Sequence, residues 1–390
     1  MDLPSFQALL TPAGQTALAA AAALQPREPD FLTHYQHLAK THPPELVRAA
    51  LETAILRTEA HAKFPPEIAG QLYLTREALE QASPWAVSAH RAARFMGFDL
   101  TLDLACSIGA DTIHLAPAFG IDRDPLRLHI ARANLAALGL PAHFLLADLN
   151  HPLPVSPSPL PRVSLFFDPA RRTDHRRAYS VRDYSPPLDV IKTWLPHIPA
   201  LGVKISPGVN LDELTDYDCE IEFISLNGEL KEACLWFGPL KTAGRRATLL
   251  PENATLTADD QPPSTVSAPR SFLYEPDPAI LRAGLVGTLA AQISAAQLDP
   301  TIAYLTSGTR VATPFARSWE VVDWMPFSLK RLRAYCRERN IGRVTVKKRG
   351  SAITPEALIA GLKLKGDNER VLVLTRWNGN PVVLVCMPYA

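Results

Sequence analysis

Residues 101–125 read TLDLACSIGADTIHLAPAFGIDRDP and predict an apolar strand, a loop of small residues, a short helix and a second strand. Small side chains in the loop, those of Ala105, Ser107 and Gly109, let backbone N–H groups approach a ligand closely. The second strand ends on Asp122, whose carboxylate can accept hydrogen bonds from the hydroxyls of a ribose. This order of elements is the first half of a nucleotide-binding α/β unit.

Two ligands compete for such a unit, a dinucleotide and S-adenosylmethionine (SAM). A dinucleotide site has a glycine-rich loop whose helix receives a pyrophosphate, but Ala105 and Ser107 stand at two of the glycine positions here. Asp111 at the start of the helix would repel a pyrophosphate. SAM carries a sulfonium and an ammonium group instead, and the carboxylate of Asp103 favours both. The residues therefore favour SAM, and a dehydrogenase is kept as a lesser alternative.

The composition is that of an ordinary globular protein, with 47% hydrophobic and 20% charged residues and a formal net charge of +1. Because the overall charge is near zero, contact with nucleic acid would depend on local basic patches. The five cysteines are widely spaced and the histidines are scattered, which predicts reduced thiols and no bound metal. No signal-peptide pattern opens the chain, and no apolar stretch is long enough to span a bilayer. We therefore predict a cytoplasmic protein without membrane contact.

Four regions are predicted along the chain from helical periodicity, strand patterns and proline-rich segments. They are an N-terminal helical region (1–98), an α/β domain (99–240), a linker (241–272) and a C-terminal α+β region (273–390). The predicted helices include Pro44 to Ala60, Thr75 to Gln81 with Thr75 as its N-cap, 185–195 and Pro278 to Ala296. Polar side chains of the first region form either a solvated cap or a substrate-facing lid that uses Arg57, Lys63 and Arg76.

The α/β domain is predicted to contain five parallel strands followed by an antiparallel hairpin. Asn227-Gly228 is a strong turn signal between the last two predicted strands, 219–225 and 232–237. A dinucleotide-binding Rossmann domain has six parallel strands instead. The predicted topology therefore also favours SAM.

Acidic residues end four successive predicted strands: Asp103, Asp122, Asp148 and Asp168. Ligands of open α/β sheets bind at the carboxyl ends of the strands, so we expect the four carboxylates along one rim. There Asp103 is expected to reach the amino-acid end of SAM, Asp122 its ribose and Asp148 its adenine. Each acid alone is consistent with a turn or helix cap, but one site explains the series better.

Two motifs within residues 99–238 resemble those of class I SAM-dependent methyltransferases of the RNA-modifying type, including the trimethylguanosine-synthase-like group. The motifs are DLACSIGADT (103–112) and GIDRDP (120–125). VTVKKRG (344–350) and VLVLTR (371–376) resemble a THUMP-like C-terminal domain. The resemblance implies a Rossmann-like methyltransferase sheet of the α/β class, SAM as the cofactor and RNA as the partner.

The resemblance also implies which residues contact cofactor and target. The cofactor-binding residues would be Asp103, Leu104, Ala105, Cys106, Gly109, Asp111, Thr112, Asp122, Arg123, Asp148 and Leu149. The amino-group methyltransferase motif Asp/Asn-Pro-Pro-aromatic corresponds here to the catalytic candidates Asp168-Pro169-Ala170-Arg171. In that motif the acid side chain and the proline carbonyl accept hydrogen bonds from an exocyclic amine. Arg171 stands at the position of the stacking aromatic, and its guanidinium plane can stack instead.

Basic residues follow this motif directly in RRTDHRRAY (171–179). Beside an active site they suit a phosphate-bearing substrate, and a solvated loop is the alternative. The predicted substrate contacts are Arg172, Arg176, Arg177, Lys204 at the fifth strand, and Lys347 and Lys348 of a second basic cluster. We therefore predict a SAM-dependent methyltransferase that acts on a nucleobase of RNA. A small-molecule methyltransferase and a catalytically silent RNA-binding protein stay open as alternatives, and no feature of the sequence sets the oligomeric state.

Overall fold

The structure, a computed structural model, describes residues 1–151, 162–170, 172–173, 176–177, 180–260, 262 and 265–388. In chain order the α-helices are α1 (Leu3–Leu9), α2 (Pro12–Ala23), α3 (Phe31–Leu38), α4 (Pro44–Ala60), α5 (Pro66–Ala69), α6 (Arg76–Gln81), α7 (Trp85–Ala93), α8 (Thr112–Leu115), α9 (Pro125–Ala137), α10 (Ile191–Trp194), α11 (Pro278–Ala283), α12 (Val286–Gln292), α13 (Leu329–Glu338) and α14 (Pro355–Leu362).

The strands alternate with these helices through the middle of the chain and dominate its last third. They are β1 (Leu100–Leu104), β2 (Ala118–Asp122), β3 (Ala142–Leu146), β4 (Val163–Phe167), β5 (Arg172–Thr173), β6 (Arg176–Arg177), β7 (Leu201–Ile205), β8 (Glu220–Leu226), β9 (Glu229–Phe237), β10 (Arg245–Leu250), β11 (Ala254–Ala258), β12 (Phe272–Pro276), β13 (Ala296–Asp299), β14 (Ile302–Ser307), β15 (Ala316–Pro326), β16 (Ile341–Lys348), β17 (Asn368–Trp377) and β18 (Asn380–Cys386). Two units divide the chain: Met1–Glu220 with Glu232–Thr242, and Ile221–Lys231 with Ala243–Ala390.

Helices α1 to α7 form the N-terminal part of the first unit. α4 packs against α1, α2 and α3 and has the bounds that its apolar spacing predicts. The predicted cap of α6 is also confirmed, because the Thr75 hydroxyl accepts a hydrogen bond from Ala78 N at 3.2 Å. The apolar core of these helices continues into Ile108, Ile130 and Leu135 of the α/β part. The helices are therefore held against the loop that follows β1.

A sheet with the order β3-β2-β1-β4-β7-β9 forms the centre of the first unit. Its first five strands are parallel, and β9 pairs with β7 in the antiparallel direction. Five parallel strands with an antiparallel neighbour confirm the predicted methyltransferase topology. Asn227 and Gly228, which join β8 to β9, have φ angles of 54° and 77°, as a hairpin turn of this kind requires.

The second unit contains β8, β10 and β11, in which β10 is parallel to β8 and antiparallel to β11. The predicted linker 241–272 thus carries two strands, and the domain boundaries stay a prediction. A seven-stranded sheet follows with the order β13-β14-β12-β15-β18-β17-β16. Helices α13 and α14 share one core with its last strands, in which Leu332 and Tyr335 meet Leu358 and Leu362.

Two predicted helices differ from the structure. The helix predicted over Pro278 to Ala296 is divided into α11 and α12, because Gly284 adopts a left-handed conformation with φ of 72° and ends α11. The helix predicted over 185–195 is reduced to a 3₁₀ turn at Leu188–Val190 followed by α10, because Pro186 and Pro187 occupy the start of the predicted range. No helix of the described ranges combines the length and apolar character needed to cross a membrane.

Candidate active site

A cavity of about 410 Å³ lies in the first unit beyond the carboxyl ends of β1, β2, β3 and β4. This volume is in the range of small-molecule sites. The residues that line it are Glu77, Ala78, Glu80, Gln81, Ala82, Ala105, Cys106, Ser107, Ile108, Ala110, Asp111, Asp122, Arg123, Asp124, Arg127, Ala147, Asp148, Leu149, Asn150, Asp168, Pro169, Ala170, Ser185 and Pro186. Most of the predicted cofactor and catalytic residues are among them, whereas the cofactor candidates Asp103, Leu104, Gly109 and Thr112 are not, and neither is the substrate candidate Lys204.

The loop after β1 keeps a tight conformation although it lacks two of the usual glycines. Ala105 and Ser107 have φ angles of 62° and 52°, and Gly109 has 78°. A left-handed conformation costs a residue with a side chain roughly 1–2 kcal/mol, so other contacts must hold this loop. One of them is visible: Ser107 N donates a hydrogen bond to Asp122 Oδ2 at 2.8 Å. The substitutions therefore do not open the loop.

Gly120 in β2 is needed because the side chains of Phe144 and Cys106 lie very close to its backbone beneath the loop. A Cβ atom added there would lie 2.7 Å from the Phe144 ring and 2.9 Å from Cys106 Sγ. Burial, aided by Asp103 and Asp122, raises the pKa of the Cys106 thiol well above its usual value. Cys106 is thus a packing residue in its thiol form.

Asp103 lies behind the loop, away from the cavity. Its side chain is 1% exposed and accepts a hydrogen bond from Thr112 Oγ1. Burial and the nearby Asp111 raise the pKa of Asp103 to about 8, so it is mainly protonated at neutral pH. The negative charge expected from Asp103 is supplied at the cavity wall by Asp111 and Asp122 instead.

Arg91 of α7 is buried between two carboxylates, those of Asp111 and Glu232, and forms ion pairs with both. Ser88 Oγ donates to Asp111 Oδ1 at 2.8 Å, and Ser83 Oγ donates to Glu232 Oε2 at 2.8 Å. Burial opposes ionisation of Asp111, but Arg91, Lys204 and the Ser88 hydroxyl together outweigh it and lower the pKa of Asp111 below its usual value. Sequence reasoning missed Arg91, because nothing near it in the chain indicates its partners.

Asp168 follows β4, and its carboxylate is held by Lys204. Lys204 Nζ lies 2.7 Å from Asp168 Oδ2, and the Lys204 side chain is 2% exposed. Nζ also donates to the backbone oxygen of Gln81 at 3.5 Å. Lys204 was predicted to contact substrate, but it lies behind Asp168 and neutralises it.

Two further carboxylates face the cavity at the ends of β2 and β3. Asp122 is 6% exposed and accepts backbone hydrogen bonds from Ser107 and Asp124, at 2.8 and 2.9 Å. Asp148 accepts from the backbone and side chain of Asn150, and the backbone bond is the main cause that lowers the pKa of Asp148. Both carboxylates retain lone pairs that can accept hydrogen bonds from hydroxyl or amino groups of a ligand.

These residues fit SAM. The cavity wall carries seven carboxylate and two guanidinium side chains, which suits a ligand with a net positive charge. Ser107 Oγ is buried and has no hydrogen-bond partner among the described residues, so it is available to a ligand of the loop. Ala105 to Asp111 would hold the amino-acid end, Asp122 the ribose, and Asp148 with Leu149 the adenine.

Helix α6 forms one wall of the cavity through Glu77 and Glu80. Lys63 Nζ donates to the backbone oxygens of Leu79, Glu80 and Ala82 at 2.7–2.8 Å, and thereby holds the end of α6. Arg57 donates to the backbone oxygens of Leu72 and Gln71, and Arg76 pairs with Glu28 and Glu59. These three cations hold the helical region together, and the charged side chains that α6 presents to the cavity are acidic.

The basic residues predicted to bind substrate are only partly described. Arg171 lies outside the described residues, and Arg172, Arg176 and Arg177 belong to β5 and β6, where Arg172 is paired with Arg177. In the second unit Lys347 pairs with Glu275 and lies 4.8 Å from the centre of the Trp319 ring, while Lys348 is exposed. Within the described parts of the chain, no group of three histidine, cysteine or acidic side chains is arranged to hold a metal.

Comparison with known proteins identifies the family. The THUMP domain-like family matches residues 316–388, and a domain family of unknown function matches residues 2–60. A protein of Mycobacterium tuberculosis (strain H37Rv), described as an uncharacterised S-adenosylmethionine-dependent methyltransferase, is 36% identical over 338 residues. The match covers 84% of this chain and 92% of the relative. The chain belongs to the S-adenosylmethionine-dependent methyltransferases.

The same identity is found with the corresponding methyltransferase of M. tuberculosis strain CDC 1551. The crystal structure of a candidate methyltransferase from Porphyromonas gingivalis W83 is similar in fold, with a TM-score of 0.76 and 23% identity. It covers 96% of this methyltransferase and 99% of its own chain. SAM is therefore the cofactor, as the loop after β1 predicted, and the C-terminal part is THUMP-like.

Proposed function

We propose that this methyltransferase transfers a methyl group to a nucleobase of RNA, with Asp168 and Pro169 orienting the target. The observation that carries the proposal is the Asp168–Lys204 pair at the cavity wall. Lys204 engages Asp168 Oδ2, and among the described residues Oδ1 accepts no hydrogen bond. A fixed, charged carboxylate with a free oxygen is suited to an amine N–H.

SAM supplies the methyl group on its sulfonium sulfur. Asp168 Oδ1 would accept one N–H of the target amine, so that the nitrogen lone pair lies in line with the methyl carbon. The carboxylate also stabilises the positive charge that grows on nitrogen as the new bond forms. The methylated nitrogen then loses one proton to water.

The surroundings of Asp168 support RNA as the substrate. The antiparallel pair of β5 and β6 begins two residues after Ala170 and contains three arginines, a pattern that suits a phosphate backbone. The cavity itself is acidic, so phosphates are expected to stay outside while only a base enters. This arrangement disfavours a phosphorylated metabolite as the target.

The test is transfer of labelled methyl groups from SAM to total RNA of a strain that lacks this protein, followed by mass spectrometry of the nucleosides. We expect one methylated nucleoside to appear, and we expect Asp168→Ala to abolish it with unchanged SAM affinity. Label found only in acid-soluble metabolites would indicate a small-molecule methyltransferase instead. RNA binding without transfer to any acceptor would indicate a silent RNA-binding protein.

A further inference from the structure

We infer that the exposed face of α13 binds the phosphate backbone of the RNA substrate. The inference rests on the proposed function, and it names a surface of the second unit that binds the backbone of that RNA. This basic face consists of Lys330, Arg331 and Arg337 in the THUMP-like domain. It differs from the cluster of Lys347 and Lys348 that the sequence suggested.

The part of the chain that contains α13 carries a large excess of positive charge. Residues 328–349 contain nine lysines and arginines and one acidic residue, Glu338, although the whole chain has a net charge of +1. Lys330, Arg331 and Arg337 are exposed. Among the described residues, none of the three forms an ion pair with an acidic side chain. Such a local excess of positive charge is the pattern expected of a nucleic-acid contact.

The geometry of α13 brings two of these cations together and puts the third at the edge of their face. At 100° per residue, Lys330 and Arg337 lie about 20° apart around the helix axis, and Arg331 lies about 100° from Lys330. Leu332, Tyr335 and Cys336 are buried in the core on the side away from Lys330 and Arg337. Lys330 and Arg337 therefore share one exposed face, and Arg331 borders it.

Helix stability does not explain the first two cations. Lys330 and Arg331 lie in the first turn of α13, which contains no acidic residue. The amino end of a helix carries partial positive charge, so cations there are unfavourable and acids favourable. Arg333 is different, because it donates to the Gly361 backbone oxygen and joins α13 to α14. Lys330 and Arg331 are thus retained against the preference of the helix.

RNA fits this surface better than a membrane does. A helix that inserts into a bilayer surface needs a free apolar face opposite its cations. The apolar face of α13 is already buried against the sheet and α14. Lys347 also contributes less than the sequence suggested, because Glu275 neutralises it.

The experiment measures binding of the full chain to bulk bacterial tRNA and to a short oligouridylate over a series of KCl concentrations. We expect the triple variant Lys330→Gln, Arg331→Gln and Arg337→Gln to bind tRNA about tenfold more weakly than the wild type. The slope of the logarithm of the binding constant against the logarithm of the KCl concentration should also be smaller in magnitude by roughly two. The control variant, Arg27→Gln, Arg48→Gln and Lys192→Gln, removes the same charge from exposed sites and should bind as the wild type does. A second variant, Lys330→Glu with Arg331→Glu, should lose tRNA binding with an equal or higher Tm.

If the wild-type chain binds tRNA and none of these variants weakens that binding, the assignment of the surface is overturned and the proposed function stands. Equal weakening by the control would also overturn it, since only overall charge would then matter. A wild-type chain that binds no RNA and methylates none would instead overturn the proposed function. If the variants lose binding to vesicles of phosphatidylglycerol and phosphatidylcholine but still bind tRNA, the exposed face of α13 binds a membrane and not RNA.

Discussion

At the scale of single residues, Asp103 couples the stability of the protein to pH. Its folded-state pKa of about 8 lies above the ordinary value of 3.8, because it is buried and close to Asp111. Between these two values the unfolded chain releases a proton that the folded protein keeps. The contribution of Asp103 to stability therefore falls as pH rises from about 4 to about 8, by up to about 1.4 kcal/mol per pH unit.

Asp103→Asn removes this titration and keeps a side chain of the same shape beside Thr112. We expect the Tm difference between variant and wild type to grow in favour of the variant from pH 5 to pH 8, and to level off above that. Thermal unfolding in a pH series, with Asp99→Asn at an exposed site as the control, measures it. A constant Tm difference would show that Asp103 is ionised in the folded protein.

Lys204 acts through Asp168 as a positioning residue. Lys204→Met preserves the volume of the side chain but leaves Asp168 without its cation, so we expect kcat to fall at least about tenfold with SAM affinity unchanged. Because an unpaired, half-buried carboxylate is also destabilising, adding Asp168→Asn should restore part of the lost Tm but none of the lost kcat. Unchanged kcat in Lys204→Met would exclude this role.

At the scale of elements, α7 joins the helical region to the sheet through one guanidinium group. Arg91→Met would leave Asp111 and Glu232 buried without a cation. We expect it to lower the free energy of unfolding by about 3–5 kcal/mol, measured by urea titration. Glu232→Gln in the same chain should recover part of that loss, since it removes one of the two stranded charges. If the losses of unfolding free energy caused by Arg91→Met and by Glu232→Gln simply add in the double variant, Arg91 and Glu232 do not stabilise the protein as an ion pair.

Helix α6 depends on Lys63, which holds three carbonyl oxygens at its end. Lys63→Met removes these hydrogen bonds, so we expect faster amide hydrogen exchange over 79–82 and weaker SAM binding, because α6 forms a wall of the cavity. Exchange over α4 serves as the internal reference. Faster exchange with unchanged SAM affinity would show that α6 does not contribute to the cofactor site.

Local patterns made some elements predictable and left others open. The apolar spacing of α4, the Thr75 cap and the Asn227-Gly228 turn all depend on residues close in sequence, and the structure confirms them. Gly284 was a readable signal for the end of α11 that the predicted long helix ignored. Arg91 was missed, and Lys204 was predicted without its partner Asp168, because the partners of both residues lie far along the chain and meet them only after folding.

At the scale of the whole molecule, the order of strands and acids predicted the fold class and the cofactor, and the resemblance of two motifs indicated the methyltransferase family. The placement of the acids was less predictable. Strand ends can be read from the sequence, but contacts made only after folding decide whether a carboxylate there reaches the cavity. Asp103 and Asp122 follow similar patterns, yet Asp103 lies away from the cavity and Asp122 lines it.

The acidic cavity has a consequence for turnover. Methyl transfer removes the sulfonium charge, so S-adenosylhomocysteine leaves the reaction with no net charge while the carboxylates around it remain. The product should therefore be held more weakly than the donor, and product inhibition should be weak. Raising the salt concentration screens these carboxylates and should bring the two dissociation constants together. Calorimetric titrations of both ligands at low and high KCl would measure this selectivity, and equal affinities at low salt would contradict it.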